Sequence, residues 1–483
     1  MPNAEAPRAW GLLAPLLAGA VALCLAAPAA AGPVRSAPAD PLREAIAGDL
    51  PALLALYRAL HAEPELAFAE HRTADRLAAE LAGLGFAVTR GVGGTGVVGV
   101  LENGPGPVLM IRTDMDALPV REETGLPWAS RREAVLPDGT RTPVMHACGH
   151  DLHMAIWVGT ARRLSAMRAA WRGTLLFVAQ PAEETGEGAA AMLADGLFER
   201  FPTPTHALAL HGSAAHPTGV VAFTHGPAMA QVDSVDVTIR GIGGHGAAPA
   251  LARNPILLAA STILAWQRLP AGGGDQQPGS VVSVGAIEGG SAHNVIGEEV
   301  RLKLTVRSLD PEARLRLLED LRRTAEAEAR AIGLPEDRLP LIEVRPSSTP
   351  VLINTPEFAN RAASAIAMRL GRDRVVQVAP AMGGEDFGRY RLARPGLQSF
   401  LFWVGTVNRE TFARLRGDPR RLPQLHSPRF APDAAPAIAA GVEAMVAAAL
   451  SVVGPELEIA RIFPRGRPVP EPAGGAFAGA EGQ

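Results

Sequence analysis

The densest group of potentially reactive side chains lies in an eight-residue segment that begins at His146 and ends at His153. Within it, only Gly149 separates Cys148 from His150, and its flexible backbone can fold closely around an ion. A thiolate and an imidazole at this spacing can bind one cation, and both are ordinary zinc ligands. A buried cysteine beside incidental histidines is the alternative, but the concentration of ligand-type side chains favours a metal site. We predict that His146 and His153 support the ligands rather than bind metal.

Two groups of acidic residues follow apolar runs that are typical of buried strands. Glu183 and Glu184 come after the run that ends at Val178, and Asp114 and Asp116 come after an earlier run. Open α/β sheets bind their ligands at the carboxyl ends of strands, so these acids are well placed for a site. Adjacent carboxylates repel each other unless a cation lies close by, so one could bind metal while its neighbour transfers a proton. A solvated loop or an ordinary aspartate turn is the alternative for each group.

Two further histidines are candidate ligands. His211 follows the apolar stretch from Ala207 to Leu210, and His426 precedes a Ser-Pro pair near the end of the chain. A single histidine is more often structural than a ligand, so neither carries the prediction alone. Together with Cys148, His150 and one of the two glutamates, they complete a set of five candidate metal ligands.

These side chains need a sheet and helices that bring distant segments together. Short apolar runs alternate with helical periodicity on both sides of residues 231–345, which predicts an α/β catalytic domain. Within 231–345 the predicted order is β-α-β-β-α-β, the pattern of ferredoxin-like units, and we interpret it as an inserted domain. The predicted parts are therefore a catalytic domain at 42–230 and 346–453, the insertion at 231–345, and a disordered Pro/Gly/Ala-rich tail at 454–483.

Residues 1–31 have the layout of a secretory signal peptide. Arg8 precedes an apolar run from Trp10 to Ala27, and Ala29–Ala31 offers a small-residue cleavage site. The run is shorter than the ~20 residues that a membrane span needs, although an uncleaved anchor is the alternative. We therefore predict an exported protein, periplasmic or secreted, with no stable membrane span after processing. Cleavage would leave Cys148 as the only thiol, which cannot form an internal disulfide.

The composition argues against two classes of partner. Of the 483 residues, 47% are hydrophobic and 20% are charged, which is enough apolar material for a large core. The net charge is only −3 and the basic residues form no run, so neither a nucleic-acid groove nor a patch for anionic membranes is predicted. We expect the partner to be a small molecule.

The motifs as a set resemble the metal-dependent aminoacylase/carboxypeptidase family, in its hippurate hydrolase and indole-acetyl-amino-acid hydrolase subgroup. The matching segments occur in one order and spread over nearly the whole chain after the predicted signal peptide. They are His61–Leu66, Arg112–Pro119, His146–His153, Gln180–Glu184, Gly243–Ala247, Asn294–Ile296, Gly384–Phe387 and Leu425–Pro428.

The resemblance implies a two-metal α/β catalytic domain whose inserted ferredoxin-like domain serves as a lid and a dimerisation domain. It also implies two divalent ions per subunit, zinc or manganese, with nickel as a third option. The implied ligands are Cys148, His150, Glu184, His211 and His426.

The same resemblance implies roles for residues around the metals. Glu183 would act as general base and then as acid toward the leaving amine, and Asp116 would support a metal-site residue. His245, on the inserted domain, would stabilise the tetrahedral intermediate by reaching across a homodimer. Asn294 would hold the carboxylate end of the substrate, and Glu385 would also bind the substrate.

Two of the departures from the family pattern concern the candidate site. The stretch between Glu184 and His211 is longer than usual, so His206 and His216 remain alternative ligands. Residues 408–422 look like a polar insertion before the last candidate ligand, which could reshape the pocket.

The predicted function is metal-dependent hydrolysis of the amide bond of N-acyl amino acids or amino-acid conjugates, which releases a carboxylic acid and an amino acid. A metallo-dipeptidase or carboxypeptidase with the same site is the alternative within the hydrolases. An exported metal-binding protein without turnover is an alternative of another class. Pure binding needs no free base beside the metal, so the Glu183–Glu184 pair argues against it.

Overall fold

The computed structural model describes residues 40–269, 279–346, 348–415 and 418–455. The predicted signal peptide (1–31) and nearly all of the predicted tail (454–483) lie outside these residues. From Pro41 onward the described residues form one compact unit of mixed α/β structure. The domain boundaries drawn from the sequence within that unit stay predictions.

The described strands fall into one large sheet, a smaller antiparallel sheet and three two-stranded ladders. In chain order the strands are β1 (Ala87–Val92), β2 (Gly96–Asn103), β3 (Val108–Asp114), β4 (Glu133–Val135), β5 (Arg141–Pro143), β6 (Gly173–Gln180), β7 (His206–Pro217), β8 (Val221–Phe223), β9 (Gly226–Met229), β10 (Gln231–Arg240), β11 (Gly244–His245), β12 (Ser280–Gly289), β13 (Val295–Ile296), β14 (Glu299–Ser308), β15 (Leu341–Val344), β16 (Leu352–Asn354), β17 (Val375–Gln377) and β18 (Gln398–Val407). The α-helices are α1 (Pro41–Ala62), α2 (His71–Gly83), α3 (His150–Ala166), α4 (Gly188–Ala194), α5 (Leu197–Arg200), α6 (Pro255–Trp266), α7 (Pro311–Ala331), α8 (Pro356–Leu370), α9 (Gly388–Ala393), α10 (Arg409–Arg414) and α11 (Ala434–Val453).

The large sheet has the strand order β1-β2-β6-β3-β7-β18-β8-β17. Its central strands β6, β3, β7 and β18 are parallel, whereas β2 pairs antiparallel with β6 and β8 pairs antiparallel with β18. Because the central strands run the same way, their carboxyl ends meet at one edge of the sheet. The α/β fold class predicted from the alternating elements is confirmed, with a mixed sheet at its centre.

Both faces of the large sheet are covered, which explains its continuous apolar runs. Leu109 and Ile111 of β3 belong to the core beneath α1, α3, α8 and α11, while Met110 belongs to the core on the opposite face with residues of α4 and α9. Successive side chains of a strand point to opposite faces, so a strand buried on both sides has no polar alternation.

Helix α11 lies in the core. Among the described helices, it alone is long and apolar enough to cross a membrane by length and composition. It packs against α1, α3 and α8, and 72% of its most apolar window is buried. A helix that is apolar all round is expected where every face meets other protein elements.

The smaller sheet has the order β12-β14-β10-β15 and is antiparallel throughout. Val235, Val237 and Ile239 of β10 are buried in a core that includes residues of α6 and α7, and alternate positions are more exposed. The order of these elements along the chain is β10-α6-β12-β14-α7-β15. Val232 and Thr349 exchange backbone hydrogen bonds of 3.2 and 3.1 Å, so the segment that forms the smaller sheet begins and ends at neighbouring positions.

Candidate metal centre and active site

The candidate site is a cavity of about 580 Å³, and residues near the carboxyl ends of the parallel strands line part of it. The turn after β6 brings two glutamates to it, and β7 brings a histidine. The loop before α3 brings the cysteine, and the loop before α11 brings another histidine. The predicted site residues that line the cavity are Cys148, Glu183, Glu184, His211 and His426.

Side-chain atoms of the five predicted ligands lie close enough to share cations. Cys148 Sγ is 3.5 Å from His211 Nε2, and the ligand atoms of these two residues and His150 lie within 4.8 Å of one another. His426 Nε2 is 3.5 Å from Glu184 Oε2, and these two residues form a similar group with Cys148. Two groups of three ligands that share one thiol are suited to two neighbouring cations.

Two buried atoms in this cluster lack hydrogen-bond partners among the described residues, namely His150 Nε2 and Glu184 Oε1. Leaving such an atom unpaired costs about 1–3 kcal/mol. Their separation of 3.7 Å is too long for a hydrogen bond but leaves both atoms free to bind cations. The other ring nitrogen of His150 bonds Asp116 O at 2.8 Å, and that of His211 bonds Gly212 O at 2.8 Å. Metal-binding histidines commonly use their second nitrogen in this way, so these residues fit divalent cations.

His426 lies at the rim of the cavity. Its side chain is 55% exposed, and its backbone N donates to Ala147 O at 2.8 Å. Its φ of +65° lies in the left-handed region, which disfavours residues with a Cβ atom. Such backbone strain persists where the surroundings hold it, and it concentrates at functional sites.

The protein surroundings favour the neutral forms of two of the ligands. Burial raises the pKa of the Cys148 thiol well above its ordinary value, and nearby Glu184 and Glu183 raise it further. Burial also raises the pKa of Glu184 to about 7, against the lowering effect of His150. A thiolate and a carboxylate here therefore need a positive partner, which a divalent cation would supply.

Glu183 is the buried carboxyl beside this ligand set. Its Oε2 is 3.9 Å from His150 Nε2. Burial raises the pKa of Glu183 well above its usual range, and the carboxylates of Glu385 and Glu184 raise it further. A carboxyl group whose pKa is raised in this way is a stronger base and can also return the proton it takes. The environment of Glu183 therefore suits proton transfer.

Asp116 holds the turn that carries both glutamates. Its Oδ1 accepts a hydrogen bond of 3.0 Å from Glu183 N, and its Oδ2 accepts one of 2.9 Å from Glu184 N. Each oxygen of one buried carboxylate thus fixes one backbone amide. Asp116 supports the predicted base and one predicted ligand without binding at the cavity surface.

A buried charge network centres on Arg112, for which no role was predicted. Its guanidinium donates to Asp114 Oδ2 at 2.8 Å, to Glu385 Oε1 at 3.0 Å and to Asp386 Oδ1 at 3.1 Å. Asp114 in turn bonds His153 Nδ1 at 2.7 Å. The sequence did contain a signal for this network. Arg112 and Asp114 lie two residues apart in an otherwise apolar strand, and charges buried in a strand need partners.

The structure gives Glu385 a different place from the predicted one. Glu385 is fully buried, bonds Arg112 and accepts a hydrogen bond of 2.9 Å from Phe387 N. It is absent from the lining of the cavity, where we expected it to bind the substrate. Its charge acts instead on Glu183, whose pKa it raises.

The two histidines that were expected to support the ligands differ in their surroundings. Both ring nitrogens of His153 are engaged, one with Asp114 and the other with Gly212 N at 2.7 Å, so His153 orders the site rather than offering a free nitrogen. His146 is buried, and neither of its ring nitrogens has a partner among the described residues. Burial lowers the pKa of His146 to about 4.

His245 and Asn294 lie together but away from the cavity of their own chain. Strand β11 pairs with β13, so that His245 is opposite Val295, and Gly246 N donates to Asn294 O at 2.8 Å. Both residues are exposed, and neither lines the cavity. The single chain therefore does not bring these two predicted residues to the ligand cluster.

The structure selects among the alternatives for one ligand, because only His211 of the three candidate histidines joins the cluster within the described residues. His206 lies at the start of β7 and bonds Arg361 Nη2 at 2.9 Å. His216 is further along the strand and does not line the cavity. The described part of the 408–422 insertion does not line it either, although Gln424 and Leu425 directly after it do.

Comparison with known proteins places this geometry in a family. Residues 110–450 match the model of peptidase family M20/M25/M40. A hippurate hydrolase of Campylobacter jejuni is 36% identical over 348 residues, which cover 71% of this chain and 85% of that protein. An N-acetylcysteine deacetylase of Bacillus subtilis is 35% identical over 366 residues, which cover 74% of this chain and 89% of that protein.

A solved structure agrees with the fold. A Bacillus subtilis protein described as a dinuclear metal-binding peptidase of the M20 family superimposes with a TM-score of 0.67 and 31% sequence identity, covering 84% of this chain and 99% of that one. The resemblance inferred from the motifs is confirmed by these relatives. The chain belongs to peptidase family M20/M25/M40.

Proposed function

We propose that this protein is a metal-dependent amidohydrolase that cleaves the amide bond of N-acyl amino acids or amino-acid conjugates. The observation that carries the proposal is a buried glutamate, Glu183, beside a cluster of metal-ligand side chains in one cavity. Relatives named for hippurate hydrolysis and for N-acetylcysteine deacetylation support this substrate class. Hydrolysis would release a carboxylic acid and an amino acid.

Two divalent cations would be held by the ligand cluster. When bound, they would polarise the amide carbonyl and lower the pKa of water. Imidazole and thiolate favour zinc, whereas a site that includes a carboxylate also accepts manganese or nickel, so zinc or manganese is proposed first. The residues that would hold the cations are Cys148, His150, Glu184, His211 and His426.

Glu183 would manage the proton during the reaction. Its carboxylate takes a proton from the attacking water and then delivers it to the amide nitrogen, which leaves as the amine of the amino acid. Burial and the neighbouring Glu385 raise the pKa of Glu183, which strengthens it as a base. Asp116 keeps the Glu183 backbone fixed while the proton moves.

Arg307 would bind the free carboxylate of the amino-acid part. It lines the cavity from β14, and its guanidinium donates to Met382 O at 2.7 Å, which fixes its position. A guanidinium carries further donors in a planar fork that matches a carboxylate. This assigns to Arg307 a role that the sequence had suggested for Asn294, which lies outside the cavity of its own chain.

A homodimer formed by the inserted domain would bring His245 and Asn294 to the site of the partner subunit, with the inserted domain acting as a lid. The outer face of α6 supports this proposal, because Leu257 is 69% exposed and Leu264 is 62% exposed. Leu251, in the turn before α6, is 82% exposed. Apolar side chains grouped on one face commonly mark a protein interface.

We propose export on the basis of residues 1–31 alone, giving a periplasmic or secreted protein. In the same way, the proposed parts of the mature chain are 42–230, 231–345 and 346–453, with the tail at 454–483. The mass of the purified mature protein tests the cleavage, since loss of the first 31 residues defines a new N-terminus.

The direct test is turnover of N-acetyl, N-benzoyl and indole-acetyl amino acids, with dipeptides as the comparison set. The protein is depleted of metal, reconstituted separately with zinc, manganese or nickel, and assayed for released amino acid. We expect turnover of acyl amino acids that depends on added metal. Preferential cleavage of dipeptides would support a dipeptidase or carboxypeptidase instead. Absence of turnover by protein that holds metal stoichiometrically would overturn the proposed hydrolase.

A further inference from the structure

The backbone that leads into Glu183 has an unfavourable conformation. Ala182 has φ +50° and is fully buried. Residues with a Cβ atom are disfavoured in this left-handed region, so the surrounding structure must hold Ala182 there. Glu183 is the next residue, so the φ of Ala182 affects where its carboxyl group points.

The backbone amide of Ala182 is held by the carboxyl group of Glu70. Ala182 N donates to Glu70 Oε1 at 2.9 Å, and Thr95 Oγ1 donates to Glu70 Oε2 at 2.5 Å. Glu70 precedes α2 as its N-cap residue, where a polar side chain usually accepts from the first amides of its own helix. The Glu70 side chain makes no such capping bond. Its fully buried carboxylate is committed to the turn after β6 instead.

Two carboxyl groups, those of Glu70 and Asp116, together hold three consecutive backbone amides of this turn. Asp116 accepts from Glu183 N and Glu184 N, directly after the Ala182 N that Glu70 binds. With its backbone fixed at each step, the turn keeps Glu183 Oε2 3.9 Å and Glu184 Oε1 3.7 Å from His150 Nε2. Glu70 itself does not line the cavity.

We propose that Glu70 is a positioning residue for the amide hydrolysis, which it serves by holding Ala182 in the left-handed conformation and so directing the carboxyl group of Glu183. The inference rests on the proposed function of Glu183. Glu70 acts through the backbone and touches neither the substrate nor the reacting atoms. Misplacing a reacting group by ~1 Å can cost ~10²-fold in rate, which sets the size of effect to look for.

The test compares Glu70→Gln with Glu70→Asp. Glutamine keeps the reach of the side chain and an oxygen that can accept from Ala182 N, while the Thr95 hydroxyl can accept from its amide group. Aspartate keeps the carboxyl group but is one methylene shorter, so it cannot reach Ala182 N without a shift of the backbone. We expect kcat to fall ~10- to 100-fold in Glu70→Asp and to stay within ~3-fold of the parent in Glu70→Gln. KM and metal content should change little in both.

Glu65→Gln is the matched control. Glu65 lies in the same loop and accepts from Thr73 N at 2.9 Å and from Thr73 Oγ1 at 3.0 Å, so it supports the start of α2 and not the turn after β6. We expect Glu65→Gln to lower the thermal midpoint but to leave kcat within ~2-fold of the parent, since the reacting groups are untouched.

Three results would overturn the proposal. They are a metal-loaded Glu70→Asp enzyme with the parent's kcat, a larger loss in Glu70→Gln than in Glu70→Asp, and an equal loss of kcat in Glu65→Gln. The parent enzyme separates this failure from failure of the proposed function. If the parent turns over acyl amino acids while the Glu70 variants match it, only the role of Glu70 is lost.

Discussion

The carboxyl group of Glu183 has two kinds of neighbour, and both affect its charge. The candidate metal ligands lie close to it, with His150 Nε2 3.9 Å away. Burial raises the pKa of Glu183, the carboxylates of Glu385, Glu184 and Asp386 raise it further, and buried Arg112 lowers it. In the proposed function, metal binding and proton transfer fall to the adjacent residues Glu184 and Glu183, and only Glu183 also groups with Glu385 and Asp386.

Replacement of Glu183 by glutamine should separate these two tasks. Glutamine preserves the shape of the side chain but cannot accept the proton, so kcat should fall ~10²- to 10⁴-fold while the metal content is retained. Steady-state kinetics together with metal analysis of the same sample measure both quantities. Glu187→Gln, at an exposed position in the same turn, is the control and should keep the parent's kcat. Unchanged turnover in Glu183→Gln would remove Glu183 from the mechanism.

The turn between β6 and α4 is tightly packed. Gly188 begins α4, and a Cβ atom at that position would lie 1.6 Å from Pro181 O. Gly188 N also donates to Ala182 O at 3.1 Å. Gly188 therefore lies close to the backbone that leads to Glu183, and any larger residue there would displace that backbone.

We expect Gly188→Ala to lower both the thermal midpoint and kcat, because the added methyl group must displace backbone atoms rather than a flexible side chain. Thermal unfolding and steady-state kinetics are the measurements. Gly83→Ala is the control, since Gly83 ends α2 and a Cβ atom there meets nothing within 4 Å. That change should be neutral or slightly stabilising. A Gly188→Ala enzyme with the parent's stability and kcat would show that the turn tolerates expansion.

A buried ion-pair network joins α1 to the start of α3. His61 Nδ1 is 2.7 Å from Asp151 Oδ2, and His61 Nε2 is 3.0 Å from Glu122 Oε1. Burial opposes the charged ring, but the two carboxylates raise the pKa of His61 to about 10. The network fixes the side chain of Asp151, the residue after His150, so the protonation of His61 is linked to the stability of this part of the site.

The sign of the pH dependence follows from this raised pKa. The stability contributed by protonated His61 is fully present below its ordinary pKa of 6.5 and is lost as the pH rises through about 10. We therefore expect the difference in the free energy of unfolding between the parent and His61→Gln to shrink from pH 6 to pH ~10. Urea unfolding at several pH values measures it. His71→Gln, at an exposed position, is the control, and a His61 difference that does not vary with pH would contradict the charged state.

At the scale of the whole molecule, two residues that were predicted to act in the site, His245 and Asn294, do not line the cavity of their own chain. Glu183 and four of the five predicted ligands line the cavity, while His245 is exposed in β11 and Asn294 is exposed directly before β13. In a symmetric dimer the same surface acts on both subunits, so one interface could complete two sites.

Mixing inactive variants tests this arrangement. Glu183→Ala and His245→Ala proteins are unfolded together, refolded and assayed as a mixture. If His245 acts across the dimer, half of the dimers are mixed and each has one intact site, so about a quarter of the parent activity should return. If His245 acts within its own chain, every site carries one defect and no activity returns. The separately refolded variants are the controls.

Site residues that lie close to one another in the sequence could be predicted from the sequence alone. Cys148 and His150 are separated by one residue, and Glu183 and Glu184 are adjacent, so their chemistry is visible without a fold. The period-two burial of β10 and the alternation of helices with strands likewise indicate an α/β protein with a separate antiparallel sheet. These properties depend on the spacing of nearby residues, which the sequence gives directly.

The tertiary structure alone decided which distant groups meet. Arg112 and Glu385 are 273 residues apart, and Glu70 and Ala182 are 112 residues apart, so no local pattern links them. The choice of His211 over His206 depends on which part of β7 reaches the cavity beside Cys148. Hydrogen bonds and burial act over a few ångströms in space rather than along the sequence, and for that reason the supporting contacts of the site emerge only once the sheet is assembled.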